Sequence, residues 1–271
     1  MQREPQHGEI VAFYRETGWM FRLLGWLRGS PSMHAGLGGG HAAAQAALNR
    51  RLADLAAIGP GTRVLDAGCG VGSSARWLVQ ERQAQVTGLT IVAQQAVQAR
   101  RYVRGRSAFL CADYHTLPLA SGSFDVVWMV ESLCHAQDLA QVVTEARRVL
   151  RPGGRLVIAD RLRCQRPAAD EALLLRWLSG WAMRDLATPA EVRAALIQAG
   201  FSDVQIHDVT AEAWRALREL GWLAAASLPA MHGLAALRLQ NRRQLRAVQA
   251  NWDQYWALRK GLWGYYLIVG T

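Results

Sequence analysis

Lysine is almost missing from this chain of 271 residues: Lys260 is the only one, so arginine carries the formal charge of +10. A basic excess ordinarily points to nucleic acid or an anionic membrane, but an arginine and alanine bias follows a GC-rich genome just as readily. Charge alone therefore names no partner. Cysteine is also sparse, and Cys69, Cys111, Cys134 and Cys164 form no C-x-x-C pair and have no histidines at zinc-ligand spacing. That excludes the usual structural zinc patterns and leaves reduced thiols. No apolar run is long enough to span a bilayer, and Met1-Gln2-Arg3-Glu4-Pro5 opens without the apolar core of a signal peptide. The expectation is a cytoplasmic protein with no membrane span and no resident metal.

What the chain does have is apolar mass, 51% of its residues, enough for one substantial core with a modest appendage. It also has a compact signal at Val64-Leu65-Asp66-Ala67-Gly68-Cys69-Gly70-Val71-Gly72, where a buried strand, a glycine turn and a helix start follow within nine residues. Glycines there let the backbone turn closely around a ligand. The acidic residue two positions ahead of them makes the turn D-x-G-x-G-x-G rather than the dinucleotide form G-x-G-x-x-G.

From Thr62 onward, short β-rich runs alternate with helical periodicity, which predicts an α/β fold with a parallel sheet wrapped by helices. Strands are expected at 63–66, 85–89, 108–111, 124–130, 155–159, 204–207 and 265–269. Asp138 reads as a helix N-cap, and Thr188-Pro189-Ala190-Glu191 reads as a capping box with proline at the first helical position. Residues 61–209 and 261–271 are expected to form the core, with residues 1–60 and a helical insertion at 210–260 as a cap. Most of the tryptophans in these cap regions are expected to pack, and one or two to line a pocket.

The glycine turn resembles the first motif of class I S-adenosylmethionine-dependent methyltransferases. That resemblance implies a Rossmann-like, mostly parallel sheet of seven strands with the last one antiparallel. It also implies S-adenosylmethionine as cofactor, bound by Asp66, Gly68, Cys69 and Gly70. Thr90 and Gln95 stand where many relatives place an acidic residue, and the segment is similar to the G-[IL]-T-x-x-x-x-Q variant of cyclopropane-synthase, tocopherol and sterol methyltransferases. The two side chains are then expected at the ribose, since an amide both donates to and accepts from a hydroxyl. Cys111-Ala112-Asp113-Tyr114-His115-Thr116-Leu117-Pro118 resembles the A-D-x-x-x-L-P segment. It puts Asp113 at the adenine amino group with Ala112 and Tyr114 flanking the ring.

The fourth strand runs into Val130-Glu131-Ser132-Leu133-Cys134-His135-Ala136-Gln137-Asp138, which resembles the E-[AS]-x-x-H-x-x-D element of sterol, tocopherol and prenyl-diphosphate methyltransferases. It lacks the N-P-P-[YF] motif of enzymes that methylate nucleic-acid amino groups, so no nucleic-acid partner is expected. Ligands bind at the carboxyl ends of strands in open α/β sheets, which places Val130, Glu131 and His135 at the donor. Methylating an alkene leaves a carbocation that must be stabilised and deprotonated, a task for a carboxylate. Glu131 is accordingly the candidate general base, with His135 as its partner or orienting donor; a structural role for both carries equal weight.

In the N-terminal region, Phe13-Tyr14 and Met33-His34-Ala35-Gly36 are similar to lid elements of the family, and Tyr14, His34 and Ala35 are expected over the methionine end of the donor. Gly36-Leu37-Gly38-Gly39-Gly40 reads as a flexible lid hinge, since no strand precedes it as a phosphate loop would need. The segment after the fifth strand carries Arg161, Arg163 and Arg166, which either dock an anionic group of the acceptor or form a solvated charge run. The expected activity is methyl transfer to a small specialised metabolite. Carbon methylation of an isoprenoid is slightly ahead of oxygen or nitrogen methylation of an aromatic or polyketide-like product. A cyclase that binds the donor without methyl transfer is a further alternative. The oligomeric state, monomer or homodimer, stays open, as does any metal that assists a diphosphate.

Overall fold

The computed structural model describes residues 4–32, 34–164 and 170–271. Its centre is a seven-stranded sheet in the order β3-β2-β1-β4-β5-β7-β6. The strands are β1 (Arg63–Ala67), β2 (Gln85–Thr90), β3 (Ser107–Cys111), β4 (Phe124–Val130), β5 (Leu150–Arg163), β6 (Val204–Asp208) and β7 (Trp263–Gly270). The first five neighbours pair in parallel, and β7 lies antiparallel between β5 and β6. Both faces of the central strands are covered, so their sequences show apolar runs instead of alternation. Leu65, Trp128, Leu156 and Ile158 are wholly buried, and each such side chain contributes about 1.5–3 kcal/mol by leaving water.

One strand differs from expectation. β5 begins directly after the preceding helix, because Phe124 pairs with Leu150 before a register shift brings Val126 opposite Arg155. At its other end it continues to Arg163, where Gly264 and Trp263 of β7 pair with Leu162 and Arg163. Asp160, Arg161 and Arg163 therefore stand on a strand and not in the loop expected after it.

Around the sheet lie α3 (Ser73–Arg82), α4 (Ala93–Tyr102), α5 (Leu139–Val149) and α7 (Pro189–Gln198). Asp138 accepts from the Gln141 amide at the start of α5, and the Thr188 and Glu191 box opens α7 in full. A further helical layer is made by α1 (Glu4–Leu27), α2 (His41–Leu55), α6 (Glu171–Gly180), α8 (Thr210–Ala236) and α9 (Arg242–Arg259). There α9 packs against α6, α8 and α1. Gly221 is where the Tyr255 ring sits against α8, since a Cβ would overlap it. No helix among the described residues is long and apolar enough to cross a membrane.

The glycine run before α2 is not the flexible hinge expected. A Cβ on Gly36 would overlap the Ala44 backbone, and the Gly38 amide donates to the Glu212 carbonyl at 2.8 Å. Glycine serves there to let the chain press onto α2 while it is tied to α8.

Candidate active site

The carboxyl end of β1 is clamped from two sides. The Gly68 and Cys69 amides both donate to the Leu89 carbonyl of β2, at 2.8 and 2.9 Å. On the other side the Ser132 hydroxyl donates to the Ala67 carbonyl at 2.7 Å. Gly68 has φ +98°, and a Cβ there would overlap the Ser132 side chain, so the turn tolerates only glycine. Asp66, just before it, is buried, and its Oδ2 has no hydrogen-bond partner. Burial pushes this carboxyl up to about 7.

At the end of β2, the Thr90 hydroxyl donates to Gln95 Oε1 at 2.9 Å and accepts from the Val92 amide at 3.2 Å. After β3, Asp113 accepts from both the amide and the Nδ1 of His115, at 2.9 and 2.7 Å. His115 Nε2 in turn accepts from the Gln137 amide at 3.1 Å, which puts the ring proton on Nδ1. Burial works to raise the Asp113 carboxyl, but the His115 hydrogen bonds and the nearness of the His115 and His7 rings outweigh it and hold the group below its ordinary range. The ligand atoms of His7, Asp113 and His115 lie within 4.8 Å of one another, as in a metal site. However, a protonated Nδ1 coordinates nothing, and hydrogen bonds tie His115 to Asp113 and to the Gln137 amide instead.

Glu131, the first residue past β4, has φ +49° and is buried with Arg161. Its Oε1 accepts from the Ala35 amide at 2.7 Å and from the Tyr265 hydroxyl at 3.0 Å, and its Oε2 accepts from Arg161 Nη2 at 2.5 Å. The Arg161 guanidinium lies 5.7 Å from the Trp181 ring centre and 6.0 Å from that of Trp263. A carboxylate has about four acceptor positions, and three are taken here. The expectation of a general base at Glu131 thus meets a carboxylate that ties Ala35 to the sheet. Its expected partnership with His135 is also absent: the His135 Nε2 shares a hydrogen bond with the Tyr14 hydroxyl at 3.0 Å. Burial, reinforced by the Arg161 charge, pushes the His135 imidazole down to about 4, so it is neutral at neutral pH. Burial likewise raises the Tyr14 hydroxyl.

The arginines expected to dock an anion are corrected by the same strand extension. Arg161 is spent on Glu131, and Arg163 pairs with Glu171 at 2.6 Å and Asp185 at 2.9 Å. Arg166 and Met33 lie outside the described residues.

These strand ends surround a cavity of about 1120 Å³, open mouth included. All of the expected donor and catalytic residues line it except two. Ala35 borders a smaller adjoining cavity, and Ala112 lies on neither wall, its amide being engaged with the Thr90 carbonyl at 3.0 Å. Tyr114 reaches the wall as a strut, donating to the Ser132 carbonyl at 2.9 Å. Sequence reasoning missed Tyr265, His115 and Trp181. His115 carried a local signal two residues after Asp113, whereas Tyr265 meets Glu131 only through the β5 and β7 register.

Comparison with known proteins bears on what this cavity holds. A family model described as a methyltransferase domain matches residues 65–158. The O-methyltransferase rstn1 of Aspergillus nomiae is 32% identical over 167 residues, 60% of this chain and 74% of that protein. The chain belongs to the S-adenosylmethionine-dependent methyltransferase family. The 27-O-demethylrifamycin SV methyltransferase of Amycolatopsis mediterranei is 43% identical over 130 residues, 46% of this chain. Against that enzyme and two other curated relatives, the match spans only 39% to 55% of their length. Among solved structures, the [4+2]-cyclase SpnF superposes with a TM-score of 0.78 at 23% identity, over 98% of this chain and 96% of its own. At that identity the likeness is one of fold.

The methyltransferase cavity also fits the family's cofactor, S-adenosylmethionine, on its own terms. Asp66 Oδ2 and Ser73 Oγ are buried on its wall with no hydrogen-bond partner in the protein, which is costly unless a ligand supplies one.

Proposed function

We propose that this methyltransferase methylates a hydroxyl oxygen of a small natural-product acceptor. The observation that carries the reading is the division of labour at the end of β4: Glu131 is engaged by three donors, while the Tyr14 and His135 pair lines the same cavity. The printed names of the rifamycin and Aspergillus relatives, both specifying oxygen, support it. Carbon methylation of an isoprenoid calls for a carboxylate open to a carbocation, and three donors on Glu131 weigh against it.

In this reading Asp66 and the turn at Gly68, Cys69 and Gly70 hold the donor. Thr90 and Gln95 face its ribose, Asp113 takes the adenine amino group, Val130 and Tyr114 flank it, and His34 and Ala35 cover its methionine end. Residues 1–60 and 210–260 act as the cap, over a core of residues 61–209 and 261–271. The sulfonium of S-adenosylmethionine supplies an electrophilic methyl group. The protein aligns the acceptor, excludes water and removes one proton. As the acceptor oxygen is methylated its proton becomes strongly acidic, so a weak base suffices. That proton passes to the Tyr14 oxygen while the Tyr14 proton passes to His135 Nε2.

Single-turnover assays test the assignment. Tyr14→Phe and His135→Ala should each lower the rate of methyl transfer by about 10²–10⁴-fold, with S-adenosylhomocysteine affinity preserved. Near-wild-type rates in both variants would remove the proton path.

A further inference from the structure

Beside the donor cavity lies a smaller one of about 570 Å³, mouth included, between α1, α8 and the residues Ser32, His34, Ala35 and Gly36. The two share Ser32, His34 and Trp181 on their walls. Phe21, Leu24, Leu217 and Leu220 make its lining apolar, and Arg28, His41 and Asn251 interrupt that lining.

Each polar group is in an unusual state. Among the described residues the acid paired with Arg28 is Glu219, at 3.9 Å, beyond hydrogen-bonding distance. Burial lowers the guanidinium from its ordinary range against the weak pull of Glu219. Burial and the Arg28 charge push His41 down to about 4, so it adds no second cation. Asn251 is buried, and its Nδ2 donates to the Ala247 carbonyl at 3.2 Å, but its Oδ1 has no partner. A loosely paired cation and an orphaned amide oxygen in an apolar chamber are costly unless a ligand meets them. Arg161 and Arg163 of β5 cannot play this part, because Glu131, Glu171 and Asp185 hold them.

We propose that this second cavity binds the body of the acceptor and that Arg28 pairs with a carboxylate carried by that acceptor, with Asn251 Oδ1 accepting from one of its O–H or N–H groups. The acceptor class is then an amphipathic acid: an apolar skeleton with a carboxylate at the Arg28 end and the reacting hydroxyl beyond Trp181, at Tyr14. The assignment of a reacting hydroxyl rests on the proposed function; the anion site itself does not.

Calorimetric titration of the full chain, saturated with S-adenosylhomocysteine, provides the test, with decanoate and 1-decanol as probes. Decanoate should bind about tenfold or more tightly than decanol, as a charge-assisted hydrogen bond in a desolvated site requires. Arg28→Gln should bring decanoate down to the decanol level and leave S-adenosylhomocysteine binding unchanged, while Arg28→Lys should keep part of the preference. Leu220→Trp, which fills the chamber, should weaken both probes. Equal binding of the two probes to the wild type would overturn the proposal, as would a decanoate preference that survives in Arg28→Gln. Arg28→Gln weakening S-adenosylhomocysteine as much as decanoate would count against it too. Because the readout is binding, failure of methyl transfer with every acceptor would overturn the proposed function and leave this result standing.

Discussion

The turn between β1 and α3 and the helices α8 and α9 border adjoining cavities, yet they are built by opposite means. The turn is made of neighbours: Gly68 and Cys69 bond to the end of β2, and the helix begins four residues beyond. The helical side is made of partners distant in sequence, such as Arg51 with Glu212 and Gln244 with the Glu16 carbonyl. The donor turn is marked by its local sequence, whereas the walls of the second cavity come together only through the fold.

The strongest way to break this contrast is at a buried ion pair that joins the two halves. Glu131→Gln leaves the buried Arg161 with only the more distant Asp160 carboxylate, at 4.0 Å, and should cost about 3 kcal/mol of stability in urea unfolding. A loss within the scatter of surface substitutions would mean that the ion pair does not hold the halves together. A smaller effect belongs to the donor wall alone. Burial lifts Asp66 to about 7, above its unfolded value, so the stability it contributes is full below that unfolded value, near 4, and is lost as pH rises through about 7. A cationic donor favours the ionised carboxylate, so S-adenosylmethionine affinity should rise about tenfold between pH 6 and pH 8. Asp66→Asn should flatten that slope; a slope unchanged in the variant would assign the titration elsewhere. The smallest effect lies away from both cavities. Thr188→Ala removes the α7 cap and should cost about 1 kcal/mol in thermal unfolding, with methyl-transfer rate unaltered at 25 °C.

The same contrast explains what was legible in the sequence. Strands, helix caps and most of the cavity lining were readable because local sequence marks them: Gly68 by its turn, Thr90 and Gln95 by a spacing of five, Asp113 by its place after β3. The partners of Glu131 were not. Its environment is set by Tyr265 and Arg161, which face each other only because β7 pairs antiparallel with β5. Arg161 and Arg163 were misplaced for the same reason, since the length of β5 is decided by the partner strand that arrives a hundred residues later in the chain. Gly36 misled because a glycine needed for close packing on Ala44 has the same sequence signature as one needed for flexibility.

The central claim is that the donor wall serves oxygen methylation. It is tested most directly by turnover with S-adenosylmethionine bearing a trideuterated methyl group, against a panel of hydroxylated acids and their hydroxyl-free counterparts. The account predicts one label per product on oxygen, one S-adenosylhomocysteine released with it, and no product from the hydroxyl-free set. Label on carbon would contradict it, as would an acceptor converted to an isomer with the bound donor left intact.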